Sequence, residues 1–205
     1  TLFEERFAGL IGTKFAIGVN SGTDAIKLVL KALGVGPGSE VITAANTFVA
    51  TVGAIYEIGA LPVFVDCDDT FCMDTSLIEA KITEKTKAII TVALYGLPPD
   101  MDPIISLAKK HNLLVIEDNA QAFLSYYKGD LAGTFGDAAS FSFQSSKHLS
   151  AGEGGVVTTN NQDLAIGIRK TSGLGYKNIG ATKARISKDE IQHPSFERHD
   201  FIGWN

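Results

Sequence analysis

Lys147 and Asp118 are the residues whose types and surroundings point most directly to chemistry. Lys147 lies between the strand-like run Ser140-Phe141-Ser142-Phe143 and the glycine-rich turn Gly152-Glu153-Gly154-Gly155. Asp118 closes the apolar run Leu113-Leu114-Val115-Ile116-Glu117 and opens the polar stretch Asn119-Ala120-Gln121. A lysine amine forms imines with aldehydes. A carboxylate at a strand exit can keep a pyridine nitrogen protonated, which turns the ring into an electron sink. An amine and an acid at two strand exits therefore suggest covalent carbonyl chemistry with a tuned cofactor.

Other segments are ambiguous alone. Ser21-Gly22-Thr23-Asp24-Ala25 opens a helix, where free N–H groups and the helix dipole attract anions. Thr23 offers a hydroxyl, and Gly22 lets an anion approach the backbone. Taken alone, the segment reads as a plain N-cap. Phe48 could stack on a flat ring or be a core residue. Gln121 fits a ring contact or a turn, and Ser142 fits a phosphate donor or a strand hydrogen bond. Gly152-Glu153-Gly154-Gly155 lacks the spacing of a dinucleotide fingerprint or a P-loop and reads as a tight turn.

The elements that must carry these residues alternate. Helical spacing covers 25–33, 47–58, 75–82, 101–111 and 162–170. Strand-like runs cover 40–43, 61–66, 87–94, 113–117, 138–143 and 155–159, with a hairpin at 125–131. Residues 4–10 read as the middle of a helix. The alternation predicts an α/β fold: a mostly parallel sheet with helices on both faces. Such sheets bind ligands beyond the C-terminal ends of their strands, where Asp118 and Lys147 fall. From Ser172 onward the pattern gives way to a polar, glycine- and lysine-rich excursion.

The 205 residues suffice for one large domain with a real core. A net charge of 18 − 23 = −5, without a basic face, argues against a nucleic-acid partner. The apolar runs are too short to span a bilayer. Cys67 and Cys72 make no disulfide framework, and a reducing cytoplasm is the simpler setting. Asp66, Asp68 and Asp69 beside them read as a solvated acidic turn, and the four histidines lack metal-ligand spacing, so no metal site is expected. The ends read as cuts in a longer polypeptide.

Taken in order, these segments acquire a joint meaning. Ser21 to Ala25, Asn46-Thr47-Phe48-Val49-Ala50-Thr51, Pro62-Val63-Phe64-Val65-Asp66, Leu94-Tyr95-Gly96, Glu117 to Ala122, Gly136-Asp137-Ala138, Ser140 to Phe143 with Lys147, and Gly152 to Gly155 follow one another along nearly the whole chain. The ordered set resembles the DegT/DnrJ/EryC1/StrS family of pyridoxal-phosphate-dependent sugar aminotransferases. The resemblance implies the fold type I large domain over 1–171. It also implies that 172–205 leads toward a C-terminal small domain absent from this segment, and that active sites are shared in a homodimer. Lys147 would carry pyridoxal 5′-phosphate as an aldimine, and Asp118 would pair with the pyridine nitrogen. Phe48 and Gln121 would lie against the ring, and Gly22, Thr23 and Ser142 would hold the phosphate. Gly203-Trp204-Asn205 matches a Gly-aromatic-Asn element, so Asn205 would reach the phosphate of the neighbouring subunit. The implied reaction moves an amine, from a donor such as glutamate, to a nucleotide-linked keto sugar. A dehydratase branch of the family has histidine in place of the lysine, so Lys147 favours amino transfer over that alternative. A non-catalytic, cofactor-binding regulator is the other alternative.

Overall fold

The computed structural model describes residues 1–173, so Asn205 and nearly all of the polar excursion lie outside the described residues. Helix α1 (Leu2–Ile11) ends at Gly12, whose φ of 90° is the left-handed geometry of a helix stop. Next come β1 (Phe15–Val19), α2 (Gly22–Ala32), β2 (Glu40–Ala44), α3 (Val49–Glu57) and β3 (Leu61–Val65). β4 (Thr86–Val92), α4 (Met101–His111) and β5 (Leu114–Asp118) follow. A small hairpin of β6 (Tyr126–Tyr127) and β7 (Asp130–Leu131) precedes β8 (Ala138–Ser142), β9 (Gly155–Thr159) and α5 (Gln162–Ser172).

Among the described residues, seven strands form one sheet in the order β1-β9-β8-β5-β4-β2-β3. β3, β2, β4, β5 and β8 are mutually parallel. β9 runs antiparallel to both β8 and β1. The loop from β8 to β9 carries no helix, and without a crossover a strand returns antiparallel to the one it leaves.

Alternation along the strands feeds two cores. Ala88 and Ile90 of β4 pack with Ile116 against α2, α3 and α5. Ile89 between them packs on the other face with Val115 and the α4 residues Met101, Ile104 and Ala108. α1 covers the rest of that face, with Phe7 and Ile11 against Phe141 and Val156. Burying an isoleucine fully is worth about 1.5–3 kcal/mol. The fully buried Ile42, Ile89 and Ile90 therefore tie the sheet to both helical layers. The mostly parallel sheet with helices on both faces is the architecture read from the sequence.

Three local features differ from the sequence pattern. Residues 75–82 form two 3-10 turns, Thr75–Leu77 and Glu79–Lys81, rather than one helix. Ile78 between them is fully buried, while Leu77 is exposed, so the segment has one anchor and no apolar face to sustain a helix. α3 starts at Val49 because Phe48 is extended, with ψ 142°. The edge strand β1 has no counterpart in the sequence reading: five residues with a glycine give little periodicity. The acidic loop closes on itself, with Asp68 N–H donating to the Cys72 carbonyl and Cys67 bridging Met73.

Candidate active site

Parallel strands deliver their C-terminal ends to one edge, and the residues singled out in the sequence follow those ends. β1 leads to Gly22 and Thr23, β2 to Phe48, β5 to Asp118 and Gln121, and β8 to Ser142 and Lys147. All of these residues line a single cavity of about 450 Å³.

Asp118 is the last residue of β5 rather than the first after it. Its backbone is held on both sides: Ala93 N–H donates to its carbonyl at 3.1 Å, and Asn119 N–H donates to the Ser140 carbonyl at 2.9 Å. The residue is 6% exposed. Oδ2 accepts from the Thr51 hydroxyl at 2.7 Å, and Oδ1 accepts from Ala120 N–H at 3.1 Å. Burial pushes the carboxyl above the usual aspartate range, against the pull of Thr51, Ala120 N–H and the charge of Lys147.

Lys147 is half-buried, with Nζ 5.8 Å from the centre of the Phe48 ring. Gln144 holds the turn that presents it. The Gln144 carbonyl accepts from Lys147 N–H at 2.9 Å, and its side-chain oxygen accepts from Ser146 N–H and hydroxyl. Backbone bonds from Phe143 N–H to Gly154 and from Ala151 N–H to Phe143 close the base of this loop. Phe48, 60% exposed, stands at the mouth.

The start of α2 also lines the cavity. Ser21 caps it, accepting from Asp24 N–H at 3.0 Å. Gly22 and Thr23 are the first helical residues, whose N–H groups have no intrahelical acceptor. Packing dictates the glycine: a Cβ on Gly22 would stand 2.8 Å from Ser142 Cβ. Gly155 plays a matching part, since its Cβ would lie 2.4 Å from the Ser21 carbonyl carbon. The glycine-rich turn thus seats β9 against the helix entrance as well as turning the chain. Gln121 Oε1 accepts from Tyr95 N–H at 3.0 Å, bracing a tyrosine whose φ is 54°.

Thr51, Gln144 and Glu153 escaped the sequence reading. Gln144 and Glu153 line the cavity, whereas Thr51 sits behind Asp118. No local signal marks Thr51, since its partner Asp118 lies 67 residues away in the chain.

The model of the DegT/DnrJ/EryC1/StrS aminotransferase family matches residues 1–195. The chain belongs to this family. It is 47% identical over 204 residues to the UDP-N-acetyl-3-dehydro-alpha-D-glucosamine 3-aminotransferase of Acidithiobacillus ferrooxidans, covering 98% of this chain and 51% of that protein. Its fold matches the aminotransferase from Psychrobacter cryohalolentis with a TM-score of 0.91 at 38% identity, over 100% of this chain and 51% of that one. It also matches NtdA from Bacillus subtilis with bound cofactor PMP, with a TM-score of 0.81 at 37% identity, over 90% and 42% of the two chains. The family assignment fits the fold type I large-domain architecture seen here. The chain spans about half the length of the curated relatives it matches.

Proposed function

We propose that this chain is the cofactor-binding part of a pyridoxal-phosphate-dependent aminotransferase, which transfers an amine from glutamate to a nucleotide-linked keto sugar. The observation that carries the reading is convergence: an amine, a buried acid and a helix N-terminus face one cavity. The cavity fits the cofactor chemically. Its volume lies within the range of small-molecule sites. The buried Asp118 carboxylate has one neutral donor on each oxygen, so a protonated ring nitrogen would supply the cation its burial calls for. The start of α2 beside the Ser142 hydroxyl suits a phosphate.

In this reading residues 1–171 form the large domain and 172–205 lead toward a small domain. Gly22, Thr23 and Ser142 hold the phosphate, and Phe48 and Gln121 flank the ring. When bound, pyridoxal phosphate supplies an aldehyde for imine chemistry and a ring that withdraws electrons from the carbon losing its proton. Lys147 Nζ would hold the cofactor, and would take up the proton of the donor carbon and return it, as base and then acid. Asp118 keeps the ring nitrogen protonated. Phe48 at the mouth shields the reacting atoms from water. Asn205, outside the described residues, is assigned to the partner subunit's phosphate on the Gly203-Trp204-Asn205 motif. A homodimer with shared sites and a cytoplasmic location complete the proposal. The location is supported by two free cysteines, one of them buried.

The test is Lys147→Ala in the full-length protein, assayed with keto-sugar nucleotides. The visible absorbance of the bound cofactor and steady turnover should both vanish. Retained turnover would sink the assignment. A product without new nitrogen would instead indicate dehydration, and bound cofactor without any half-reaction would indicate a regulator.

A further inference from the structure

The cavity side of Asp118 is what a ligand meets, but its orientation is set from behind by two threonines of the α3 entrance. Thr47 Oγ1 lies 2.9 Å from Thr51 Oγ1, and Thr51 Oγ1 lies 2.7 Å from Asp118 Oδ2. Thr51 is fully buried. An ionised carboxylate can only accept hydrogen bonds, and a hydroxyl has one proton to donate. Thr51 must therefore spend its proton on Asp118, and its oxygen must accept from Thr47. The charge of Asp118 thus fixes the polarity of the whole chain. On the other side Ala120 N–H meets Oδ1 at 3.1 Å. One donor on each oxygen fixes the carboxylate plane and leaves its remaining lone pairs for the cavity.

We propose that Thr51, backed by Thr47, is a positioning residue that aims and charges the Asp118 carboxylate toward a cationic N–H ligand. The inference rests on the reading of Asp118 as partner of the cofactor ring nitrogen. Valine at position 51 keeps the shape and removes the donor, leaving Oδ2 buried with no partner from the protein. A serine keeps the donor.

The experiment measures pyridoxal phosphate affinity of the full-length apoprotein, with thermal midpoint as a folding check, for Thr51→Val, Thr51→Ser, Thr47→Val, the double valine variant and Asp118→Asn. Loss of a hydrogen bond to a charged group should weaken affinity about tenfold or more in Thr51→Val. Thr51→Ser should stay within about threefold of wild type. Thr47→Val should weaken binding less, and should add nothing once Thr51 is valine, as groups in one chain are non-additive. If Thr51→Val does not fold, Thr47→Val reads the same chain through an intact Thr51. Wild-type affinity in Thr51→Val, or in Thr47→Val where only that variant folds, overturns the inference while a weakened Asp118→Asn leaves the ring-partner reading standing. A Thr51→Ser variant as weak as valine overturns it too, because packing rather than the hydroxyl would then matter. Unchanged affinity in Asp118→Asn removes the ring-partner reading and the inference together.

Discussion

Glu117 and Asp118 are consecutive residues of β5, both buried, and the pleat sends them to opposite faces. Glu117 is saturated by rigid donors. Its oxygens accept from Gly133 N–H at 2.6 Å and from Phe135 and Gly136 N–H at 2.8 Å each. Burial pushes its carboxyl up, and those three amides with Asn119 pull it back. Asp118 meets one amide and one rotatable hydroxyl and opens onto a cavity. The same functional group thus does two jobs. A carboxylate closed by backbone amides fastens a loop to the sheet. One left partly open keeps lone pairs for a ligand. The fastened loop, 133–136, leads into β8, whose end carries Ser142, so the structural acid helps position the chemical one's neighbours.

The contrast breaks most visibly with Asp118→Asn. Turnover should fall by about 10²–10³-fold, the scale of losing one preorganised electrostatic group. Stability should not fall with it. The Thr51 hydroxyl can turn and accept from the new amide. The sign of the titration agrees: a carboxyl whose folded value is raised above its usual 3.8 loses stability as pH rises through that value, so removing the charge helps at neutral pH. Melting at pH 7.5 should place the variant at or above wild type.

Glu117→Gln should do the reverse. Its amide must set an N–H2 group against backbone N–H groups that cannot turn away. The expected cost is about 2–3 kcal/mol in urea unfolding, with a smaller loss of turnover per folded molecule. Gly133→Ala attacks the same clasp from the loop. Its φ of 101° and a Cβ 2.7 Å from Phe141 Cζ should cost about 1–3 kcal/mol. A melting point equal to wild type would show that the loop yields freely.

The smallest effect concerns a third acid, Glu4. Burial opposes its charge, but Arg169 at 2.9 Å and Gly18 N–H at 2.9 Å outweigh that and bring it down to about 2. A depressed carboxyl contributes stability above its ordinary value of 4.5, which is lost as pH falls through about 2. Thermal midpoints between pH 5 and pH 2 should therefore fall less steeply in Arg169→Met than in the parent. Parallel slopes would count against the pair.

Much of this was legible in the residue order. The helix of α4 and the strand β9 lie where periodicity put them, and Asp118 and Lys147 share a cavity, as their strand-exit positions anticipated; Phe48, Gln121 and the Gly22-Thr23 pair line the same cavity. Thr51 was illegible because its role lies in a contact 67 residues away in sequence. Gly155 read as a turn residue because the strand it packs beside, and the Ser21 carbonyl it must clear, come from the other end of the chain. Residues 75–82 misled because a short apolar count cannot tell an α-helix from two turns around one anchor, Ile78.

The sequence by itself determined which groups are available and where β5 and β8 release them, since a run of apolar residues that ends in polar ones is a local property of the chain. Tertiary structure alone decided which of two adjacent buried carboxylates stays open. That choice depends on what packs against each face of β5: three fixed amides on one side, a hydroxyl and a cavity on the other. Solvation and hydrogen-bond supply are set by neighbours in space, and those neighbours come from α3 and from the loop before β8, remote from β5 in the chain.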